Sequence, residues 1–319
     1  MSAAVCQPLV SLIRQQGGDI KEASGLQRSI KYRLQRERRA LAKATAMELK
    51  NRLPNSLRQC VVAGEEKGAS SWLSAIPLES HGFVLHKGAF RDALALRYNW
   101  PFKHLGPTCA CGSHLDAGHV LICQYNGFHT LRHNHLRDMT SELLSEVCPS
   151  VVSEPPLQAL SGEQLPTSCN RNDDARADIK AHGFWNRYED AFFDIRVFYP
   201  FAPSYQTSSL PALYRKQEKQ KKREYGQRIR EVERGSFTPL VLTTGGGMAP
   251  EATVFYKRLA SLLSEKRNES YPVVMGWLRC TVSFCLLHSA LACLRGSSKS
   301  KTIQLDSITE AVSSGRLPV

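Results

Sequence analysis

A short run of metal-ligating side chains constrains the fold of this chain more than any other feature of its sequence. Its spacing is C-x-C-x7-H-x3-C, formed by Cys109, Cys111, His119 and Cys123. Cysteine thiolates and a neutral imidazole at short spacings are typical of a tetrahedral Zn²⁺ site. Two cysteines separated by one residue cannot easily form a disulfide with each other. The run therefore predicts a small zinc knuckle; His114 is an alternative third ligand, although it lies very close to Cys111.

The charge of the chain indicates a polyanionic partner. Its 319 residues include 42 Lys and Arg against 29 Asp and Glu, which gives a net charge of +13. Such an excess favours either nucleic acid or an anionic membrane surface as the partner. The ten cysteines are not preceded by a secretory signal peptide, so we expect a reducing compartment rather than a disulfide scaffold.

The chain is predicted to be mainly helical at first and to alternate helices with strands later. Residues 26–60 form a basic helical segment that Pro54 closes, suited either to a solvated face or to phosphate contacts. Apolar and charged patterns at helical spacing predict further helices over 90–98, 130–147, 211–234 and 250–266. Apolar runs predict strands over 177–181, 191–199 and 239–243. Residues 150–175 are predicted to be a loop with one short strand.

One apolar stretch, residues 272–294, is long enough to cross a membrane. Gly276, Arg279 and His288 interrupt it, and its ends carry no obvious orientation-setting charges. We therefore interpret this stretch as a buried or partner-facing helix, and a membrane is not an expected partner.

Two aspartates in the predicted strands are candidate catalytic residues. Asp178 and Asp194 each lie among apolar residues, where a charged carboxylate is costly unless something pairs with it. On adjacent strands the two carboxylates can converge and hold Mg²⁺ through oxygen ligands. The ion would then activate water and stabilise charge during phosphodiester cleavage. An ordinary ion pair with Arg176 or Arg196 is the alternative interpretation.

The helix predicted over 211–234 supplies cations for such a site. A lysine that points at the aspartates would position the water or neutralise the scissile phosphate, and Lys219 and Lys222 are the candidates. Other side chains are predicted to contact the nucleic-acid backbone. These are Arg215, Lys216, Lys221, Arg223 and Tyr225, together with Arg132 and His133.

Several runs of the chain resemble the C-terminal region of a non-LTR retrotransposon polyprotein. They are Lys67–Leu73, Leu85–Ala93, Cys109–Cys123, Arg132–Asn134, Phe192–Phe198 and Gly235–Val241. In elements of this kind with a restriction-like endonuclease, the region holds a CCHC zinc knuckle and a nuclease of the PD-(D/E)xK class that nicks target DNA. The resemblance implies that the cysteines and His119 are the knuckle ligands and that Asp178 and Asp194 are the catalytic carboxylates. It also implies a catalytic lysine within 216–222 and a nuclear workplace.

The chain departs from that family pattern at two positions. Ala177 replaces the usual proline before the first aspartate, and Arg196 stands where the broader nuclease class has lysine. The family tends to move this lysine onto the following helix, so the second departure is partly expected. The reverse-transcriptase motif Tyr-x-Asp-Asp does not occur, since Asn172–Asp174 lacks the aromatic residue. We therefore expect a polypeptide that cannot copy RNA by itself.

These observations predict an α+β or α/β fold in four parts. The parts are a basic helical segment (1–107), a zinc knuckle (108–128), a restriction-endonuclease-like mixed sheet flanked by helices (129–270), and an apolar helix with a polar tail (271–319). The predicted function is Mg²⁺-dependent nicking of DNA, with RNA as a second possible ligand and no small-molecule substrate. The alternative is a catalytically inactive nucleic-acid-binding remnant that zinc stabilises.

Overall fold

The computed structural model describes residues 20–102, 105–158, 175–205 and 208–296. Residues Asn172–Asp174 and most of the loop predicted at 150–175 lie outside the described residues. The chain divides into two compact units, residues 1–58 and residues 59–319.

The first unit is built on one long helix, α1 (Ile20–Arg52), which confirms the predicted basic helix. Pro54 ends the helix because its ring disfavours helical backbone at the preceding residue. Arg58 then folds back, and its guanidinium donates to the carbonyl oxygens of Lys50 and Asn51, each at 2.9 Å. These bonds satisfy carbonyls that the end of a helix leaves without an intrahelical partner.

The second unit combines helices with a single sheet. Its helices are α2 (Asn55–Gly64, which spans the boundary between the units), α3 (Ser71–Ser74), α4 (Lys87–Tyr98), α5 (Ala117–Ile122), α6 (Phe128–Val147), α7 (Leu210–Glu231), α8 (Pro250–Arg267) and α9 (Tyr271–Gly296). Its strands are β1 (Val151–Ser153), β2 (Ile179–His182), β3 (Asp190–Phe198) and β4 (Ser236–Thr243). Both α7 and α8 begin with proline in the first turn, where the missing N–H costs no hydrogen bond.

The sheet is mixed, with the strand order β1-β2-β3-β4. β2 and β3 form a hairpin, at whose turn Gly183 adopts φ +80° and donates to Glu189 O at 3.0 Å. β3 and β4 are parallel, so the chain must cross over between them, and α7 is that crossover. The predicted mixed α/β class, with a mixed sheet flanked by helices, is confirmed, and the sheet has four strands.

β3 is buried on both faces because helices cover both sides of the sheet. Phe193, Ile195 and Val197 join the main core, which α6, α8 and α9 complete. Phe192 and Phe198 point the other way, into two smaller clusters with side chains of α7. Since successive strand residues face opposite sides, Asp194 lies on the face that α7 covers.

The apolar stretch at 272–294 is a core helix, α9. By length and composition, α9 is the one helix among the described residues that could cross a membrane. However, 67% of its most apolar window is buried inside the protein. Val274, Leu278 and Val282 pack in the main core, as predicted for a buried helix.

The predicted boundaries at 107/108, 128/129 and 270/271 do not separate independent parts. Cys109, Leu115 and Phe128 share one hydrophobic cluster with Cys293 of α9. Trp72 and other residues between positions 72 and 96 pack in another cluster with α9. Because α9 contributes to each of these clusters, residues 59–296 form one unit where the sequence suggested several.

Candidate functional site

Tight turns bring the metal-ligating side chains of the predicted knuckle together. Cys109 N donates to Ser113 O at 2.8 Å, and Gly112 in this turn adopts φ +93°, which glycine tolerates. Asp116 caps α5, its carboxylate accepting from the backbone N–H of His119 at 2.7 Å. α5 then carries the chain from His119 to Cys123 in one turn.

The resulting Cys/His cluster, Cys109, Cys111, His119 and Cys123, has a geometry suited to a metal ion. All four ligand atoms lie within 4.8 Å of one another. The two sulfurs of Cys109 and Cys123 are 3.9 Å apart, close to the roughly 3.8 Å edge of a tetrahedral Zn–S site. Cys111 Sγ lies 3.2 Å from His119 Nε2. His119 therefore belongs to the cluster, and the alternative ligand His114 does not.

The protein environment acts unequally on the cysteines of this cluster. Hydrogen bonds from Ser113 lower the pKa of Cys111 to about 6, which favours its thiolate. Burial raises the pKa of Cys123 to about 11. A bound cation would ionise Cys123 as well, because coordination deprotonates a thiol. The cluster can therefore hold a metal ion, and metal binding would release protons.

The second cluster of functional side chains lies under α7. Asp194 on β3 is only 3% exposed, and its Oδ2 is 2.9 Å from the ammonium Nζ of Lys221. Lys221 also lies 3.5 Å from Glu224 and sits 5.3 Å from the centre of the Tyr225 ring. The ion-pair partner of Asp194 is thus a lysine of the crossover helix and not its strand neighbour Arg196.

Asp178 lies just before β2 and is held from two directions. Its Oδ2 accepts from the backbone N–H of Ile195 at 2.5 Å, which ties it to the strand that carries Asp194. Its Oδ1 is 2.9 Å from Nε2 of His133 on α6. The hairpin thus brings Asp178 next to Asp194, as the sequence predicted for adjacent strands.

The electrostatics of this site oppose the charged form of Asp194. Burial, together with the nearby carboxylate of Asp178, raises the pKa of Asp194 to about 6, although Lys221 acts against the shift. Burial also disfavours the charged ammonium of Lys221, but the ion pair with Asp194 outweighs it and raises the pKa of Lys221. The site therefore holds a half-buried cation beside Asp194 and two carboxylates that repel each other.

The prediction that Lys219 or Lys222 points at the aspartates is wrong. Lys222 forms an ion pair with Glu251 of α8 at 2.7 Å, and Lys219 is exposed. Both line a shallow groove of about 320 Å³ on the outer face of α7. Its other lining residues are Arg215, Glu218, Arg223 and Glu251.

Four of the predicted nucleic-acid contacts also have other roles in the structure. Arg132 is 2% exposed and donates from Nη1 to the carbonyl oxygen of Leu121 at 3.1 Å, so it is not available to a phosphate. His133 contacts Asp178 as described. Lys221 and Tyr225 face the sheet, where Tyr225 packs against Phe237. Arg215, Lys216 and Arg223 are exposed, as their predicted role requires.

A periodic signal on α7 identifies the lysine that the sequence interpretation missed. Tyr214, Gln217, Lys221 and Tyr225 recur every three or four residues, which is the spacing of one helix face. Leu213, Tyr214 and Gln217 are buried against the sheet side of this helix. A lysine within this stripe must point inwards, whereas Lys219 and Lys222 fall outside it.

Comparison with known proteins adds no assignment, since no family model matches the chain and no curated protein matches its sequence. The two side-chain clusters are therefore the basis on which a function is assigned.

Proposed function

We propose that the chain is a Mg²⁺-dependent endonuclease that nicks DNA. One observation carries this proposal: a lysine whose side chain is only 15% exposed, Lys221, lies 2.9 Å from Asp194 in a site that Asp178 completes. Two carboxylates of a mixed sheet and one lysine of the helix that covers it are the groups that a restriction-like nuclease needs, and the sequence resemblance favours the same class. We assign the sheet and its flanking helices to that fold class on the same grounds.

The donor atoms of the site fit a divalent cation. Oδ2 of Asp194 is buried and, beyond its ion pair with Lys221, has no hydrogen-bond partner among the described residues, so it retains acceptor capacity. Carboxylate oxygens are the protein ligands that Mg²⁺ prefers. When bound between Asp178 and Asp194, Mg²⁺ would supply charge stabilisation at the phosphate and an activated water. Burial and the repulsion from Asp178 raise the pKa of Asp194, and a dication would relieve that repulsion.

The remaining groups of the site have roles that follow from their charge. The Lys221 ammonium is fixed by Asp194 and shielded from solvent, so it presents a positive charge of fixed position to an incoming phosphate. Preorganised charge in a water-poor site stabilises a developing anion better than a mobile surface lysine does. The hydrogen bond from Ile195 to Asp178 holds the second carboxylate in place.

The DNA backbone is proposed to follow the outer face of α7. The groove there has four cations, Arg215, Lys219, Lys222 and Arg223, against the carboxylates of Glu218 and Glu251. One of those cations, Lys222, is already paired with Glu251. Lysine and arginine contacts to phosphates position nucleic acid without reading its sequence, so binding should be strongly salt-dependent.

The Cys/His cluster is proposed to bind structural Zn²⁺. Its four protein ligands would fill a tetrahedral coordination sphere and leave no position for substrate, which is the pattern of structural rather than catalytic sites. The cluster shares its hydrophobic packing with α9, so bound metal would stabilise the 59–296 core.

The test is nicking of supercoiled plasmid by the purified protein, with and without Mg²⁺ or Mn²⁺. The variants are Asp178→Ala/Asp194→Ala and, as a matched control, Asp190→Ala. Asp190 lies on the same strand as Asp194 but pairs with His182 and Lys180 at the other end of the hairpin.

Metal-dependent nicking by the wild type and by Asp190→Ala, but not by the double variant, is the expected result. Intact plasmid in every reaction, combined with a salt-sensitive gel shift, would contradict the nuclease assignment. That outcome would support the alternative function, a non-catalytic nucleic-acid-binding remnant.

A further inference from the structure

The carboxylate of Asp178 is held by one contact from strand β3 and one from helix α6. Asp194 lies within β3, whereas Asp178 precedes β2 and is half-buried. The terminal torsion angle of an aspartate side chain has a broad range of favourable values. The orientation of the carboxylate must therefore be set by hydrogen bonds. Two contacts do this, one from Ile195 N–H to Oδ2 at 2.5 Å and one between His133 Nε2 and Oδ1 at 2.9 Å.

The imidazole of His133 is supported by the residues that flank it on α6. Arg132, the preceding residue, is buried and bonded to Leu121 O at 3.1 Å. Leu136, one turn later, is fully buried in the main core. α6 is therefore anchored on either side of His133, which fixes the point from which the ring reaches Asp178.

We propose that His133 is a positioning residue that fixes the carboxylate of Asp178 for cation binding. With Nε2–H donated to Oδ1 and the Ile195 amide donated to Oδ2, each oxygen keeps a lone pair for a cation. The carboxylate is then held in one orientation, so the cation meets a preformed pair of ligands. The effect of this role on catalysis rests on the proposed nuclease function; the contact and its effect on metal binding do not require turnover.

This role replaces the phosphate contact predicted for His133. The ring nitrogen that faces Asp178 is engaged, and the side chain is 29% exposed. A group that orients a metal-binding carboxylate typically changes metal affinity or activity by about 10- to 100-fold when it is removed. We therefore expect the variant to lose metal affinity while it retains DNA affinity.

The experiment compares His133→Ala and His133→Gln with the wild type in Zn²⁺-loaded protein. His129→Ala is the matched control, because His129 is exposed one turn earlier on the same helix. Mn²⁺ binding is measured by electron paramagnetic resonance, and DNA affinity is measured by gel shift. Plasmid nicking is measured over a range of metal concentrations. We expect His133→Ala to weaken Mn²⁺ binding about 10-fold or more and to raise the half-maximal metal concentration for nicking. In His133→Gln the side-chain amide N–H can still donate to Asp178. This variant should therefore recover part of the Mn²⁺ affinity and part of the metal response of nicking that His133→Ala loses.

Wild-type Mn²⁺ affinity in His133→Ala, or no recovery in His133→Gln with both variants folded, would overturn the proposal. The contact has a second readout, the imidazole ¹⁵N signals of His133, identified by their absence in His133→Gln. These signals should shift in Asp178→Asn and not in Asp190→Asn, and an unchanged spectrum in Asp178→Asn would also overturn the proposal. A wild type that binds Mn²⁺ but does not nick refutes the nuclease alone. If the wild type binds no Mn²⁺, the nuclease and the cation-binding role of His133 both fail.

Discussion

At the scale of single residues, the carboxylate of Asp194 is costly to keep charged. Burial and the neighbouring Asp178 raise its pKa from the usual 3.8 to about 6. Between these two values the folded protein holds a proton that the unfolded chain has lost, so stability falls as the pH rises through this window. Above pH 6 the full cost is present, on the order of 3 kcal/mol by the size of the shift.

Asp194→Asn should therefore be more stable than the wild type at pH 7 in Mg²⁺-free buffer, even though it loses nicking. The amide mimics the neutral carboxyl, so the stability difference should be small near pH 4 and grow until about pH 6. Thermal melts across this pH range measure it. A wild type more stable than Asp194→Asn at pH 7 would show that the Lys221 ion pair outweighs the burial cost.

Lys221→Met should abolish nicking, whereas Lys219→Met should not. Lys221 supplies the half-buried charge beside Asp194, and loss of such a preorganised group costs about 100-fold or more in rate. Lys219 lies on the outer face of the same helix and serves as the matched control. Initial nicking rates at saturating DNA, taken well below the melting temperature of each variant, decide between them. Equal losses in both variants would contradict the assignment of Lys221.

The sequence identifies the two aspartates but not the contacts that complete their site. The sequence alone reveals a carboxylate flanked by apolar residues, because the free-energy cost of burying its charge in a strand depends on its immediate neighbours. Which lysine pairs with that carboxylate depends on the rotation of α7 about its axis. The number of charged residues on the helix does not reveal this rotation. The contact between His133 and Asp178 joins segments 45 residues apart, so no local pattern reveals it.

At the scale of secondary-structure elements, α7 presents two different surfaces. Lys221 and Tyr225 face the sheet, and the cationic groove faces solvent. The amphipathic stripe explains how one basic helix can carry both the proposed catalytic lysine and the proposed DNA-binding groove. Its two surfaces can therefore be tested separately.

Arg215→Ala/Arg223→Ala should weaken DNA binding and leave the nicking rate at saturating DNA nearly unchanged. Each lost phosphate contact lowers the salt-dependence slope by about 0.9, so two should lower it by about 2. Binding isotherms over a range of salt concentrations measure the slope. Lys257→Ala, an exposed cation on α8, is the control and should keep the wild-type slope. An unchanged slope in the double variant would place the DNA elsewhere.

The Cys/His cluster should contain about one Zn²⁺, and Cys109→Ser should lose it together with thermal stability. Structural zinc contributes folding free energy, and removal of one thiolate weakens the site. Metal analysis and thermal melts measure both effects. Cys148→Ala, which alters a buried cysteine outside the cluster, should keep its zinc. Full zinc content in Cys109→Ser would refute this ligand set.

At the scale of the whole molecule, the two units differ in how their side chains are packed. Most described side chains of α1 are exposed, whereas residues 59–296 enclose several hydrophobic clusters. Local unfolding is easier where few apolar groups are buried. Among the described residues, we expect trypsin to cut first within α1, at the lysines and arginines between residues 31 and 52. Mass spectrometry of a short digest measures this order, and early cuts within α6 or α9 would contradict it.

Most elements of the fold are predictable from sequence, whereas their grouping is not. Helix α6 and strand β3 follow from local periodicity and apolar runs, and their predicted positions are confirmed. The grouping depends on α9, whose apolar character is evident but whose partners lie up to about two hundred residues away. Trp72 N, for example, donates to Ser283 Oγ at 3.3 Å across the fold. Boundaries drawn from composition therefore divided a core that this helix unites.

Two adjacent residues, Arg132 and His133, connect the helix that carries His119 with Asp178, although these regions are far apart in sequence. Arg132 bonds to the last turn of α5, which also carries His119, while His133 contacts Asp178. The Cys/His cluster and Asp178 are thus linked through the same turn of α6. A screen that scores only loss of nicking would therefore report cysteine substitutions in the Cys/His cluster as active-site mutations. Measuring zinc content as well as nicking would separate substitutions that affect the Cys/His cluster from those that affect the site of Asp178 and Asp194.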